Sequence, residues 1–133
     1  MHPDYERADR LSGDVIGAAI EVHRLKGPGL IESIYERCVV RELALRGISS
    51  ERQVRVPIEY KGEVFEEMLR LDLFVEKCLI VEAKVVEKVI PVHKAQLLSY
   101  MRLMNAPIGL LINFNELLLK NGIHRVILKG ASS

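Results

Sequence analysis

Cysteine is scarce in this chain. The only two, Cys38 and Cys78, lie far apart and form no CxxC or zinc-type cluster. A disulfide scaffold and a zinc finger are thereby excluded, and the pair read as small buried hydrophobes in a reducing compartment. An excess of one sign of charge is also lacking, because 19 Lys and Arg stand against 18 Asp and Glu, a formal net charge of +1. No global field therefore draws the protein to nucleic acid or to an anionic membrane, and any nucleic-acid contact must come from a local patch or from bridging metal. Long apolar runs are missing too. The longest, Ile108 to Ile112 with a glycine inside it, falls far short of the roughly 20 residues that cross a bilayer. The opening Met-His-Pro-Asp-Tyr-Glu-Arg is charged and has no apolar centre of the signal-peptide kind. The expectation is a cytoplasmic protein with no membrane partner. Neither repeat, linker nor low-complexity segment breaks the chain, and no helix-turn-helix or basic face interleaved with aromatics stands out. Lys26, Arg37, Arg41, Arg46, Arg52 and Arg55 read as helix-surface or strand-edge charges.

What is present is a globular composition, 49% hydrophobic and 28% charged over 133 residues. This is enough for one domain, residues 1–133, that buries about two-thirds of its unfolded surface. Ser12 or Asp14 can cap a helix through Val15, Ile16, Ala19, Ile20 and Val22, stopped by Gly27-Pro28-Gly29. Within it His23 reads as a packing or hydrogen-bonding residue. A second helix from Leu30 or Ile31 places Ile31, Ile34, Tyr35, Cys38 and Val39 on one side and ends at Gly47, with Glu32 in its first turn where the helix dipole favours an acid.

Arg52 to Tyr60 alternates as a half-buried strand that Pro57 demotes toward a sheet edge, and Lys61-Gly62 turns the chain into the next strand. Two apolar β-type runs follow, Met68 to Val75 and Leu79 to Val86, with a polar break at Glu76-Lys77-Cys78. In the second, the period of two puts Ile80, Glu82 and Lys84 on one face and Leu79, Val81 and Ala83 on the other. Register then decides the place of Asp72. A two-residue turn sets it opposite Val81, whereas a three-residue loop pairs Val75 with Leu79 and sets Asp72 opposite Glu82. Two opposed carboxylates repel, and neither belongs on an apolar face without a partner, so the second register asks for a cation. A hard divalent ion such as Mg²⁺ suits such oxygen ligands. The same residues also fit a solvent-facing polar stripe on an amphipathic hairpin.

Pro91 to Asn105 is a third helix, opened by its proline and closed by Asn105-Ala-Pro107. Leu97, Leu98, Met101, Leu103 and Met104 give it apolar surface, and His93, Gln96 and Tyr100 form one polar-tipped stripe. Ile108 to Phe114 is short and apolar enough for a buried strand, parallel to a central one through a β-helix-β crossover. A polar loop around Lys120-Asn-Gly122, a last strand His124 to Leu128 and a frayed tail complete the expectation.

The spacing Asp72-x9-Glu82-x-Lys84 resembles the signature of the PD-(D/E)XK nuclease superfamily. Gly29-Leu-Ile-Glu-Ser-Ile-Tyr35 reads G-x-x-E-x-x-Y, and with Glu21-Val-His-Arg24 and Gly27-Pro-Gly29 it resembles the bacterial and archaeal GxxExxY proteins, a branch of that superfamily. Gln96-x-x-x-Tyr100 resembles the motif that follows the catalytic strand in RecB-type nucleases. The resemblance spans Val15 to Leu128. It implies an α/β restriction-endonuclease-like core (α-β-β-β-α-β), a mixed central sheet flanked by helices, with an extra N-terminal helix and a C-terminal strand.

It further implies a metal-dependent nuclease acting on DNA or RNA. Asp72, Glu82, the backbone carbonyl of Ala83 and Glu32 would hold one or two Mg²⁺ or Mn²⁺ ions, and Lys84 would orient a water. Gln96 and Tyr100 would position the phosphate or steady the metal shell, with Tyr35 and His93 in support. Leu71 stands where many relatives carry the proline of the superfamily name. So small a nuclease core usually needs a homodimer or a partner to hold a duplex. A binding or scaffold protein that kept the fold without turnover is the alternative.

Overall fold

The two runs too apolar to face water on either side take the centre of a sheet, where both faces are covered. The computed structural model describes residues 1–133, the side chain of Met68 excepted. Its elements in chain order are α1 (Tyr5–Lys26), α2 (Glu32–Leu45), β1 (Ser50–Tyr60), β2 (Glu63–Val75), β3 (Leu79–Lys84), α3 (Pro91–Met104), β4 (Ile108–Asn113), a 3₁₀ turn (Leu119–Gly122) and β5 (Ile123–Ile127). The sheet runs β1-β2-β3-β4-β5. Every junction is antiparallel except β3–β4, which the α3 crossover makes parallel. This is the mixed α/β architecture expected of a restriction-endonuclease-like core.

Alternation on the central strands sorts the layers. Leu79, Val81 and Ala83 with Ile108, Leu110 and Ile112 pack beneath α1 and α2, against Val15, Ala18, Tyr35, Val39 and Leu43. Ile80 and Leu111 face the other way, onto Leu97, Tyr100 and Met101 of α3. At Gly109 an added Cβ would lie 2.7 Å from Leu97 Cδ1 and 2.8 Å from Met101 Sδ, so this position must stay bare for α3 to sit so close. No helix among the described residues is long and apolar enough to cross a membrane.

Several expectations are corrected. α1 begins at Tyr5, not at Ser12 or Asp14. The Ser12 hydroxyl donates back to the Asp9 carbonyl instead of capping, and Ala8 is already core. On α2 the apolar side is carried by Tyr35, Val39 and Leu43, whereas Ile31 and Ile34 are exposed, because the helix turns its Glu36 inward instead. The loop around Lys120 is a 3₁₀ turn, and the C-terminal segment is tied down. Ala131 is buried, its carbonyl accepts the His2 N–H at 2.9 Å, and its own N–H bonds Leu128.

The hairpin registers differ in quality. Pairing of β2 with β3 stops after Val75–Leu79, Phe74–Ile80 and Leu73–Val81, and the connecting Glu76 and Lys77 both adopt positive φ, 48° and 56°. This is the three-residue loop. β1 and β2 pair along a longer ladder that shifts register between Val56 and Ile58, around Pro57.

Candidate functional site

Asp72 lies one step beyond the last bridge of the β2–β3 ladder. Its carboxylate Oδ2 accepts the Ala83 N–H at 2.9 Å, so a side chain takes over where main-chain pairing ends. On the other side of β2, the pairing goes from Arg52–Leu73 to Val54–Leu71 without bridging Asp72, and Gln53 between them has φ +54°. A left-handed residue inside a strand costs about 1–2 kcal/mol. Its effect is to break the alternation of β2: Leu71 is buried beneath α3, but Leu73, two residues on, is buried beneath α1 and α2. Asp72 sits at that change of face.

There Asp72 meets α2. One carboxylate oxygen from each of Glu32, Glu36 and Asp72 lies within 4.8 Å of the others. Glu32 and Glu36 are four residues apart and so share one side of the helix. Tyr35 fixes the first turn of α2: its hydroxyl donates to the Gly27 carbonyl at 2.5 Å and accepts the Leu30 N–H, and its ring stacks on Phe114 with centroids 4.4 Å apart. That hydroxyl braces the α1–α2 turn and thereby the placement of Glu32.

Glu36 is buried. Its Oε1 accepts from Gln53 Nε2 at 2.8 Å and from Arg52 at 3.2 Å. Burial raises its pKa; the bond from Gln53 opposes this, the Asp72 charge adds to it, and Arg52 opposes it. Glu36 is absent from the residues read off the sequence. Its signal was there, one helical turn after Glu32.

Glu82 carries the strongest electrostatic tension. It is only 5% exposed, and its Oε1 has no hydrogen-bond partner. Burial first, and then the neighbouring Asp72 carboxylate, push its pKa up from 4.5 to about 10, while Lys84 pulls it down. A buried carboxyl oxygen without a donor is costly. Two states relieve it: a proton on the acid, or a cation among the oxygens.

From the opposite layer, α3 presents Gln96 and Tyr100, joined by a bond of 3.2 Å from Gln96 Nε2 to the Tyr100 hydroxyl. Burial and then the charge of Glu82 raise the Tyr100 pKa, and Gln96 opposes the rise. His93 is committed locally, since its Nδ1 accepts the Ile90 N–H at the start of α3. A second residue unread in the sequence is Asn113, fully buried at the end of β4. Its amide donates to the Val86 carbonyl and accepts the Val86 N–H, pinning the strand just beyond Lys84.

Glu32, Glu36 and Asp72 thus meet where β2 leaves β3, and Glu82 neighbours Asp72, with Lys84 on the face of Glu82. All the donors are hard oxygens, the class that Mg²⁺ and Mn²⁺ take. The orphaned Glu82 oxygen is the observation that such an ion fits. A family model described as the PD-(D/E)XK nuclease superfamily matches residues 9–126. The chain belongs to that superfamily. Its members typically use divalent metals and act on nucleic acid. No curated protein matches. Among solved structures, the crystal structure of SSO0001 superposes with a TM-score of 0.48 at 18% identity, covering 83% of this chain and 61% of that one.

Proposed function

We propose that the protein is a metal-dependent nuclease of the GxxExxY branch that hydrolyses phosphodiester bonds in DNA or RNA. The observation that carries this reading is the buried, partnerless oxygen of Glu82 next to Asp72, in a chain whose superfamily is one of nucleases. Asp72, Glu82 and the Ala83 carbonyl would hold Mg²⁺ or Mn²⁺, with Glu32 and Glu36 completing the oxygen set from α2. Such an ion, when bound, acidifies a water and offsets charge on the phosphate oxygens. Glu82 must release its proton for this role, so loading the site is a proton-releasing event. Lys84, on the same face as Glu82, orients the attacking water and adds positive charge where the phosphate becomes more negative. Tyr100, with Gln96 behind it, holds the phosphate from the α3 side, while Arg52 and Gln53 keep Glu36 aimed. Tyr35 and His93 act as positioning residues for α2 and α3.

The test is cleavage of single-stranded DNA, duplex DNA and RNA with Mg²⁺ or Mn²⁺, run beside EDTA and a Lys84→Ala variant whose fold is checked by circular dichroism. Cleavage that requires metal and disappears in the folded variant supports the reading. If none of the three substrates is cut, metal binding that is lost in Asp72→Ala would leave an enzyme with a different substrate, whereas no metal binding would favour a fold kept for binding alone. We further propose one domain over residues 1–133, acting in the cytoplasm as a homodimer large enough to hold a duplex. A monomer by light scattering at assay concentration would overturn the dimer.

A further inference from the structure

Arg55 and Arg70 are direct cross-strand partners on the β1–β2 ladder, and both are exposed. Like charges placed opposite each other on a sheet repel. Among the described residues the ion pairs of the chain involve Arg7, Arg24, Arg46, Arg52 and Arg125, and no acid pairs with either Arg55 or Arg70. Val56 and Leu71, next to them in sequence, are buried beneath α3. Alternation therefore directs Arg55 and Arg70 to the opposite face, the one from which Asp72 meets Glu32 and Glu36. Arg70 is two residues before Asp72, about 7 Å along the strand. At a rise of about 3.4 Å per nucleotide, that is within a nucleotide or two of any phosphate held at the acids.

A cluster of carboxylates repels a polyanion, and a net charge of +1 supplies no compensating field at long range. Positive charge must then stand beside the acids. We propose that Arg55 and Arg70 form a two-guanidinium clamp for a backbone phosphate flanking the scissile one. The clamp rests on the nuclease reading and sets how the substrate strand lies along β2. Guanidinium groups grip phosphate oxygens in bidentate fashion, and a phosphate between them removes the repulsion that the empty ladder carries.

The test is fluorescence anisotropy of a labelled 20-mer, as duplex DNA, single-stranded DNA and RNA, titrated from 50 to 200 mM KCl with Ca²⁺ in place of Mg²⁺. Losing the one clamped phosphate lowers the salt slope by about 0.9 on duplex. Over this range the wild-type protein should therefore lose about 3.5-fold more affinity than an Arg55→Gln, Arg70→Gln double variant. A second variant separates binding from folding. Arg55→Glu turns the repelling pair into an attracting one, so its melting temperature should hold or rise while its affinity falls. Binding with an unchanged slope in the double variant overturns the clamp and leaves the nuclease reading intact. No binding of any of the three nucleic acids by the wild-type protein overturns both. A drop in melting temperature for Arg55→Glu would assign these arginines to the fold and also overturn the clamp.

Discussion

The centre of the sheet and its β1–β2 arm obey different rules. In β3 and β4 every residue but Lys84 is buried, the registers run without a break, and α3 lies on them so closely that Gly109 admits no Cβ. The arm is half-exposed, changes register around Pro57, carries a left-handed Gln53 and sets two arginines against each other. The acids gather at the junction. Glu82 is held by the rigid half, Asp72 stands where the arm departs, and α2 adds Glu32 and Glu36. A rigid strand fixes one set of oxygens, and Asp72 on the departing strand meets the acids of α2. The short β2–β3 ladder, three bridges long, ends at the site and lets the Asp72 side chain take the place of a main-chain bond.

Four measurements would break or sharpen this contrast. The largest effect belongs to the junction: Asp72→Ala should cut metal-dependent cleavage by about 10²- to 10³-fold while leaving the circular dichroism spectrum unchanged. If that variant keeps full activity, the junction is not where the chemistry occurs. Next come the two halves as structure. Leu110→Ala, at the buried centre, should cost about 2–5 kcal/mol in urea unfolding, against about 1 kcal/mol for the half-buried Ile58→Ala in the arm. Equal costs would erase the distinction.

The third concerns pH. The folded pKa of Glu82 is raised above its unfolded value of 4.5, so the native state retains a proton that the unfolded chain has released. Stability from this group is complete below the unfolded value and falls as pH rises through the window up to the folded one, by about 1.4 kcal/mol per pH unit at most. The raised pKa of Glu36 acts in the same direction. The His124 pKa is lowered, so this ring is already neutral above pH 7 and does not contribute there. Between pH 7 and 8.5 the metal-free melting temperature should therefore decline. Glu82→Gln should flatten the decline, and Mn²⁺ should raise the melting temperature more at pH 8.5 than at pH 7. A flat metal-free profile in the wild-type protein would remove the electrostatic tension ascribed to the rigid half. The smallest effect is expected at the arm's tip, where Gly62→Ala places a side chain at φ +89° and should cost about 1 kcal/mol, with cleavage unchanged.

Much of this was legible in the residues. Period two on Leu79–Lys84 assigned Glu82 and Lys84 to one face before any fold was known, and the superfamily signature was there to be read. Glu36 went unread because an acid inside an apolar helix stripe looks like surface until the helix is seen to turn it inward. Asn113 was hidden at the end of a run that counted as apolar. Tyr35 matched a motif, but only packing could show that its hydroxyl is committed to Gly27.

By itself the sequence determined the elements, their order and the central strands, because these follow from local periodicity and from the number of apolar residues that must leave water. It also held both possible hairpin registers and could not choose between them. Tertiary structure made that choice, since the positive φ of Glu76 and Lys77 closes a three-residue loop. Tertiary structure also decided which acids meet, since it brings Asp72 to a helix more than 30 residues earlier. Side-chain direction at a break in a strand depends on what packs on both sides, and no local pattern encodes that.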